Sequence, residues 1–310
     1  MNTSGLKYSG YFFVHFTGED KEYGEQIYFS VSKDGLHWTD LNKGEHVLCS
    51  PLGDKGVRDP FIVRSEKENK FYLIATDLRI YSGKSWSDAV TKGSRDIIVW
   101  ESGDLIHWGE PWAVTVGIEG AGCVWAPEVI YDESQENFLV FWASHTKEEQ
   151  EEGKHRIYSA RTRDFRNFTP AKKYIERENH IIDTTMIYHN GSYYRFSKDE
   201  TTKNIRTEKG SSLAPDAFVP MSAPVVESLQ GVEGPQIFKF NDRDEWCLIV
   251  DRYATHGGYL PLITSDLEKG EFRILSEDEF DLGQTVKRHG SVINITEEEY
   301  QRLLKSYPIV

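Results

Sequence analysis

The feature that most constrains this chain is a fivefold recurrence of short aromatic, β-branched segments. They run from Tyr11 to Phe16, Phe71 to Thr76, Phe138 to Ser144, Tyr193 to Ser197 and Trp246 to Asp251, with starts 60, 67, 55 and 53 residues apart. A second class follows each of them: Ile27 to Val31, Ile97 to Trp100, Arg156 to Ala160, Ile205-Arg206 and Leu262 to Ser265. A third class precedes the first, headed by Asp59-Pro60, Ala126-Pro127, Asp183-Thr184, Gly234-Pro235 and His289-Gly290. Asp, Gly, Asn and Pro separate the segments, as turns require. Self-similarity at this period means a repeat architecture.

Each unit reads as three or four short strands, which is the content of a propeller blade. The count of units is five. The inner segment at His289 has no strands after it, and the N-terminus begins with strands that lack an inner one. Joining Tyr11 to Phe16 onto the segment at His289 closes the ring and removes exposed sheet edges. The expected fold is therefore all-β: one five-bladed β-propeller over residues 1–310, closed by N-terminal strands on the C-terminal inner strand. Two β-sandwiches would also supply short strands and frequent turns, but not the ~55–65-residue period. Helical periodicity is confined to one stretch, Glu297 to Lys305.

Fifty acidic against 36 basic residues give a formal charge of −14. Such a surface repels phosphate backbones, and no basic patch offsets it, so nucleic acid is not an expected partner. A neutral ligand is indifferent to that field. Cys49, Cys123 and Cys247 are scattered without metal or disulfide spacing, and Cys247 lies in the apolar run Trp246 to Val250, where a buried inert thiol is expected. Neither a basic, apolar leader nor a run approaching the ~20 apolar residues of a membrane span is visible. A cytoplasmic location away from membranes is the expectation, and nothing bears on oligomeric state.

In a propeller the innermost strand of each blade lines the central channel, so the residues at its head share one pocket. The heads are Arg58-Asp59-Pro60, Trp125-Ala126-Pro127, Ile182-Asp183, Glu233-Gly234-Pro235 and Arg288-His289-Gly290. Three of the five carry a carboxylate, where 50 acidic residues in 310 make about one in six the chance expectation. Carboxylates crowded round a narrow channel repel one another and need a reason to be there. Glycoside hydrolysis supplies one: an acid to protonate the leaving oxygen and a carboxylate to activate water or attack the sugar. A third carboxylate raises the pKa of the acid by like-charge repulsion. Sugar faces stack on aromatics, for which Trp86, Trp125, Trp142 and Tyr259 are the candidates, whereas Trp100, Trp108 and Trp246 belong to the repeated framework.

These motifs, together with Trp125-Ala126-Pro127-Glu128-Val129, Glu233-Gly234-Pro235-Gln236-Ile237 and His289-Gly290-Ser291, resemble glycoside hydrolase family 43 in order over nearly the whole chain. The family consists of five-bladed propellers, mostly α-L-arabinofuranosidases, β-xylosidases and endo-arabinanases, that invert the anomeric centre. The resemblance implies that Asp59 is the general base, Glu233 the general acid and Asp183 the residue that modulates and orients the acid. It implies a calcium ion on the propeller axis, ligated by His289 or held mainly by waters beside it, as structural or electrostatic support, and no organic cofactor. Arg288 is expected to contact sugar hydroxyls or to pair with Asp183 or Glu233. The sequence departs from the family where Thr184, rather than Pro, follows Asp183. Glu128, three residues into its strand, is expected to face the blade interface; facing the channel, it would rival the assigned acid.

The expected function is an inverting, exo-acting hydrolase of arabinose- or xylose-containing saccharides. Phosphorolysis would want more cations near the acid than Arg288 and His289. The alternative from another class is a non-catalytic carbohydrate-binding or protein-docking propeller, whose blades are usually uniform and free of inward acids.

Overall fold

A computed structural model describes residues 6–309. The chain opens with three strands, β1 (Tyr8–His15), β2 (Tyr28–Ser32) and β3 (Trp38–Asp40). Four complete blades follow: β4 to β7 (Val57–Ser65, Lys70–Asp77, Asp96–Ser102, Trp112–Thr115), β8 to β11 (Trp125–Asp132, Asn137–Thr146, Lys154–Thr162, Lys172–Ile175), β12 to β15 (Ile181–His189, Ser192–Asp199, Asn204–Gly210, Phe218–Pro220) and β16 to β19 (Glu233–Lys239, Trp246–Asp251, Tyr259–Thr264, Arg273–Ile274). The last strand, β20 (Ser291–Thr296), pairs antiparallel with β1, so the fifth sheet has the order β20-β1-β2-β3. Five four-stranded antiparallel sheets thus form a five-bladed β-propeller, closed as the repeat requires.

Each blade turns its second and third strands into the packing between blades, which is why those segments are aromatic and branched. Trp100 and Trp246 are each 2% exposed in separate core clusters and Trp108 packs against that of Trp100, so all three are framework residues. The tight turns after the third strands reuse one device. In Ser32-Lys33-Asp34, Ser102-Gly103-Asp104 and Thr162-Arg163-Asp164 the hydroxyl accepts the amide three residues on, and the aspartate accepts two further amides. The side chains thus satisfy backbone donors that the turn leaves without a strand partner.

Among the described residues, three α-helices decorate the ring. α3 (Glu297–Ser306) covers the predicted stretch and starts from a capping box between Thr296 and Glu299. Arg64 of β4 donates to both oxygens of Glu299, pinning α3 across the junction where the ring closes. The expectation of a single helix is corrected by α1 (Trp86–Thr91) and α2 (Pro224–Ser228). At six and five residues they are too short to show a period. α1 is begun by Ser85, whose hydroxyl accepts from Asp88.

The site is positioned by an irregularity shared by four inner strands. The ladder slips between Arg58 and Phe61, Trp125 and Glu128, Ile182 and Thr184, and Glu233 and Gln236. Within the slips, Asp59, Ala126, Asp183 and Gly234 have φ of 50°, 46°, 45° and 51°. A bulge of this kind kinks the strand and re-aims the side chains at its entrance.

Candidate active site

His289 sits on the propeller axis, buried at 4% exposure, and three carboxylates face it. Its Nδ1 lies 3.5 Å from Asp59 Oδ1 and 3.8 Å from Asp183 Oδ2, and its Nε2 lies 3.9 Å from Glu128 Oε1. Burial works against the imidazolium, but Asp183, Glu128 and Asp59 outweigh it and push the ring up to about 10. Glu128 is itself buried, which raises its carboxyl to about 7. The expectation that Glu128 turns into the blade interface is therefore corrected; at 3% exposure it lies deeper than Glu233, at 20%, which leaves Glu233 the more accessible of the two rivals for the acid. The bulge at Ala126 adds a residue and reverses the facing of the residues after it.

The second strands of three blades supply polar partners that the inner strands lack. Thr76, Lys198 and Asp251 stand opposite Arg58, Ile182 and Glu233, the residues just before three of the bulges. Thr76 donates to Asp59 Oδ2 at 2.9 Å and accepts the Ala126 amide at 2.8 Å. The Lys198 ammonium donates to Glu233 Oε2 at 2.8 Å and lies 2.7 Å from Glu200. Asp251 takes the Arg288 Nε at 2.6 Å, while Arg288 Nη2 donates to Glu233 Oε1 at 3.0 Å. Asp183 Oδ2 accepts the Gly234 amide at 3.0 Å, joining the head of one blade to the next.

Electrostatics divide the carboxyls. Burial lifts Asp183 to about 6, against the pull of His289, and lifts Asp251 to about 6 in spite of Arg288. Burial also works on Glu233, but Lys198 and then Arg288 prevail and hold it below the usual glutamate range. The expectation that a like-charge neighbour keeps Glu233 protonated in the free site is thus corrected. Two cations outweigh Asp183.

Of the expected sugar-stacking residues, two are at the mouth. Trp86, 47% exposed, meets Trp125 edge-on at 6.2 Å and has the Arg58 guanidinium 5.1 Å from its ring, and Trp125 stacks on His155 at 5.4 Å. Trp142 and Tyr259 are corrected. Trp142 is 1% exposed within a core cluster, and Tyr259 is fully buried, its hydroxyl accepting the Gly290 amide and bonding the Gly234 carbonyl. Tyr259 braces the heads of two blades from below, out of a sugar's reach. Arg288 lies between Glu233 and Asp251, the pairing arm of its expectation.

The geometry does not fit a calcium ion ligated directly by His289 and its protein neighbours. Calcium wants six to eight oxygens, whereas both ring nitrogens here face carboxylates and the ring is held as a cation. Among the described residues, no group of three or more His, Cys, Asp or Glu side chains is arranged to hold a metal ion.

Sequence reasoning found Asp59, Asp183, Glu233, Arg288 and His289 but missed Lys198, Asp251 and Thr76. A signal was present: a lysine stands near the end of an aromatic-rich strand, in Tyr193-Tyr194-Arg195-Phe196-Ser197-Lys198.

Residues 7–301 match the model of a family described as "probable glycosyl hydrolase domain", related to glycoside hydrolase family 43. The chain belongs to that family. An α-L-arabinofuranosidase of Bifidobacterium longum subsp. longum is 30% identical over 274 residues, covering 76% of this chain and 26% of the relative. This family-43-related propeller thus spans about a quarter of that relative's length. Among solved structures, a family 43 β-1,3-galactosidase superposes over 88% of this chain and 58% of its own, with a TM-score of 0.61 at 13% identity. An engineered family 43 enzyme described as having both endo-xylanase and exo-arabinofuranosidase activity covers 94% of this chain and 55% of its own, at a TM-score of 0.58 and 13% identity. At these identities the superpositions speak for the propeller alone.

Proposed function

We propose that this propeller is an inverting glycoside hydrolase that removes terminal sugars from arabinose- or xylose-containing saccharides, with Asp59 as general base and Glu233 as general acid. The observation that carries the reading is convergence: Asp59 and Asp183 both lie within 4 Å of His289 Nδ1, and Asp183 receives the amide next to Glu233. Membership of a glycoside hydrolase family and the similarity to an arabinofuranosidase support it.

Asp59 takes a proton from water, whose oxygen attacks the anomeric carbon from the face opposite the leaving group. The glycosidic C–O bond breaks as Glu233 delivers its proton to the departing oxygen. Thr76 fixes one oxygen of Asp59, so the carboxylate is oriented before the sugar arrives. Glu233 is ionised in the free site and must gain a proton for this role. Sugar hydroxyls that engage Lys198 and Arg288 weaken their hold on Glu233, and exclusion of water by the substrate then favours its neutral form. Asp183, lifted by burial, stands beside that exchange as the modulator. His289, held as a cation, balances the charge of Asp59 and Asp183 on the axis.

The test is turnover of aryl α-L-arabinofuranoside, β-D-xyloside, β-D-galactofuranoside and β-D-galactopyranoside by the wild type and by Asp59→Ala, Asp183→Ala and Glu233→Ala. Activity on one sugar, lost by about 10²–10⁴-fold in the Asp59 and Glu233 variants with circular dichroism unchanged, is the expected result. No turnover by the wild type, or turnover that survives Glu233→Ala, moves the non-catalytic carbohydrate-binding reading to the front.

A further inference from the structure

A second concavity opens on the face of the ring where the inner strands begin. It is a cavity of about 660 Å³ formed by the β1–β2 loop, the β3–β4 loop, the β17–β18 loop and the segment that leads into β20. That volume is within the ~300–1,000 Å³ of small-molecule sites. Its wall is shared with the candidate active site. Arg288 lines it and reaches Glu233 at 3.0 Å, and Glu19 lines it and reaches Arg58, the neighbour of Asp59, at 3.1 Å.

The reaction assigns a side to each sugar. The general acid must touch the glycosidic oxygen, so the part of the substrate that leaves extends from Glu233 outward. Arg288 joins the acid to the cavity, since it lines the cavity and donates to Glu233 Oε1. Around the cavity, the carboxylates of Glu19, Asp20 and Glu45 outnumber the cations Lys21 and Arg288, and Arg288 is already engaged by Asp251 and Glu233. Such a lining disfavours uronate or phosphate and offers acceptors to hydroxyl groups. Val286, 49% exposed, gives the C–H face of a sugar ring an apolar surface.

Resting on the hydrolase reading above, we propose that this cavity is the leaving-group subsite and that it takes a neutral saccharide, the chain from which the terminal sugar is cut. A substrate whose leaving group is a single atom does not reach it, and an oligosaccharide does.

The test pairs substrates that share a terminal sugar: α-L-arabinofuranosyl fluoride with α-1,5-L-arabinotriose, β-D-xylosyl fluoride with xylotriose, and β-D-galactosyl fluoride with β-1,3-galactotriose. Each is given to the wild type, to Val286→Trp, which fills the cavity, and to Ile274→Trp, on an outer strand. The ratio of trisaccharide to fluoride kcat/KM is expected to fall by about ten-fold or more in Val286→Trp, the scale of one sugar ring shut out of its subsite, and to stay at the wild-type value in Ile274→Trp. Fluoride hydrolysis with an unchanged ratio in Val286→Trp overturns the subsite and leaves the hydrolase reading standing. A wild type inert to all six substrates sinks the hydrolase reading, and the subsite falls with it.

Discussion

The Lys198 ammonium donates to the Glu233 carboxylate at 2.8 Å across the junction of two blades. Lys198 comes from β13 of one blade, is only 2% exposed, and meets the first residue of the next blade's inner strand. Arg288 on the other side of Glu233, Glu200 beside Lys198, and Asp183, Asp251 and His289 also belong to the charged surroundings. An opposite charge this close lowers a carboxyl pKa by roughly 1–3 units. With Glu233 as the acid, its deprotonation forms the alkaline limb of the kcat/KM profile. Lys198→Met is expected to move that limb to higher pH by about one unit or more. A limb that stays in place would separate Lys198 from the acid. Movement of the acid limb instead would recast Glu233 as the base.

Gly234 and His289 are packed so closely that a Cβ on residue 234 would lie 2.6 Å from the imidazole Cγ. Left-handed backbone is not the obstacle, since Ala126 holds φ of 46° at the equivalent bulge. Gly234→Ala is expected to cost about 1–3 kcal/mol by overpacking and to abolish turnover by displacing His289 and Glu233. The double variant Gly234→Ala/His289→Ala, with the clash removed, recovers part of the lost stability in thermal denaturation. Simple additivity of the two losses would count against a direct contact.

Glu128 provides a stability test. Burial raises its folded pKa from the ordinary 4.5 to about 7, so the folded state binds its proton more tightly than the unfolded chain does. Its contribution is then present below about pH 4.5 and is lost as pH rises through about 7. Glu128→Gln keeps the shape and does not titrate. Relative to the wild type, its Tm should be similar at pH 4.5 and should gain at pH 8.5. A Tm difference that does not vary with pH would place Glu128 in a more solvated setting than the axis.

Trp86 and Trp142 should separate stacking from packing. Trp86→Ala removes an exposed ring at the mouth and is expected to raise KM by about ten-fold, with kcat and Tm nearly unchanged. Trp142→Ala deletes a buried side chain and is expected to cost about 3–5 kcal/mol of stability. Steady-state kinetics and denaturation on both variants check this. Equal effects of the two on KM would restore Trp142 to the sugar site.

What the sequence by itself determined is the ring and the identity of its inward heads. The recurrence of Tyr11, Phe71, Phe138, Tyr193 and Trp246 at blade spacing could be buried only by packing like units side by side, and the unpaired segments at both ends could be satisfied only by closure. Asp59, Asp183, Glu233, Arg288 and His289 were legible because they head inner strands, a position that turn residues mark. The tertiary structure decided how those heads are charged and which way their neighbours face. Bulges at Asp59, Ala126, Asp183 and Gly234 break the two-residue alternation that any reading of a strand relies on, and so Glu128 turned to the axis. Trp142 and Tyr259 differ from Trp86 and Trp125 in depth, a coordinate that local sequence does not carry. Lys198 reached Glu233 from 35 residues away because adjacent blades bring a second strand against the next inner strand. Electrostatic energy depends on distance through space and on burial, and both exist only once the ring has closed.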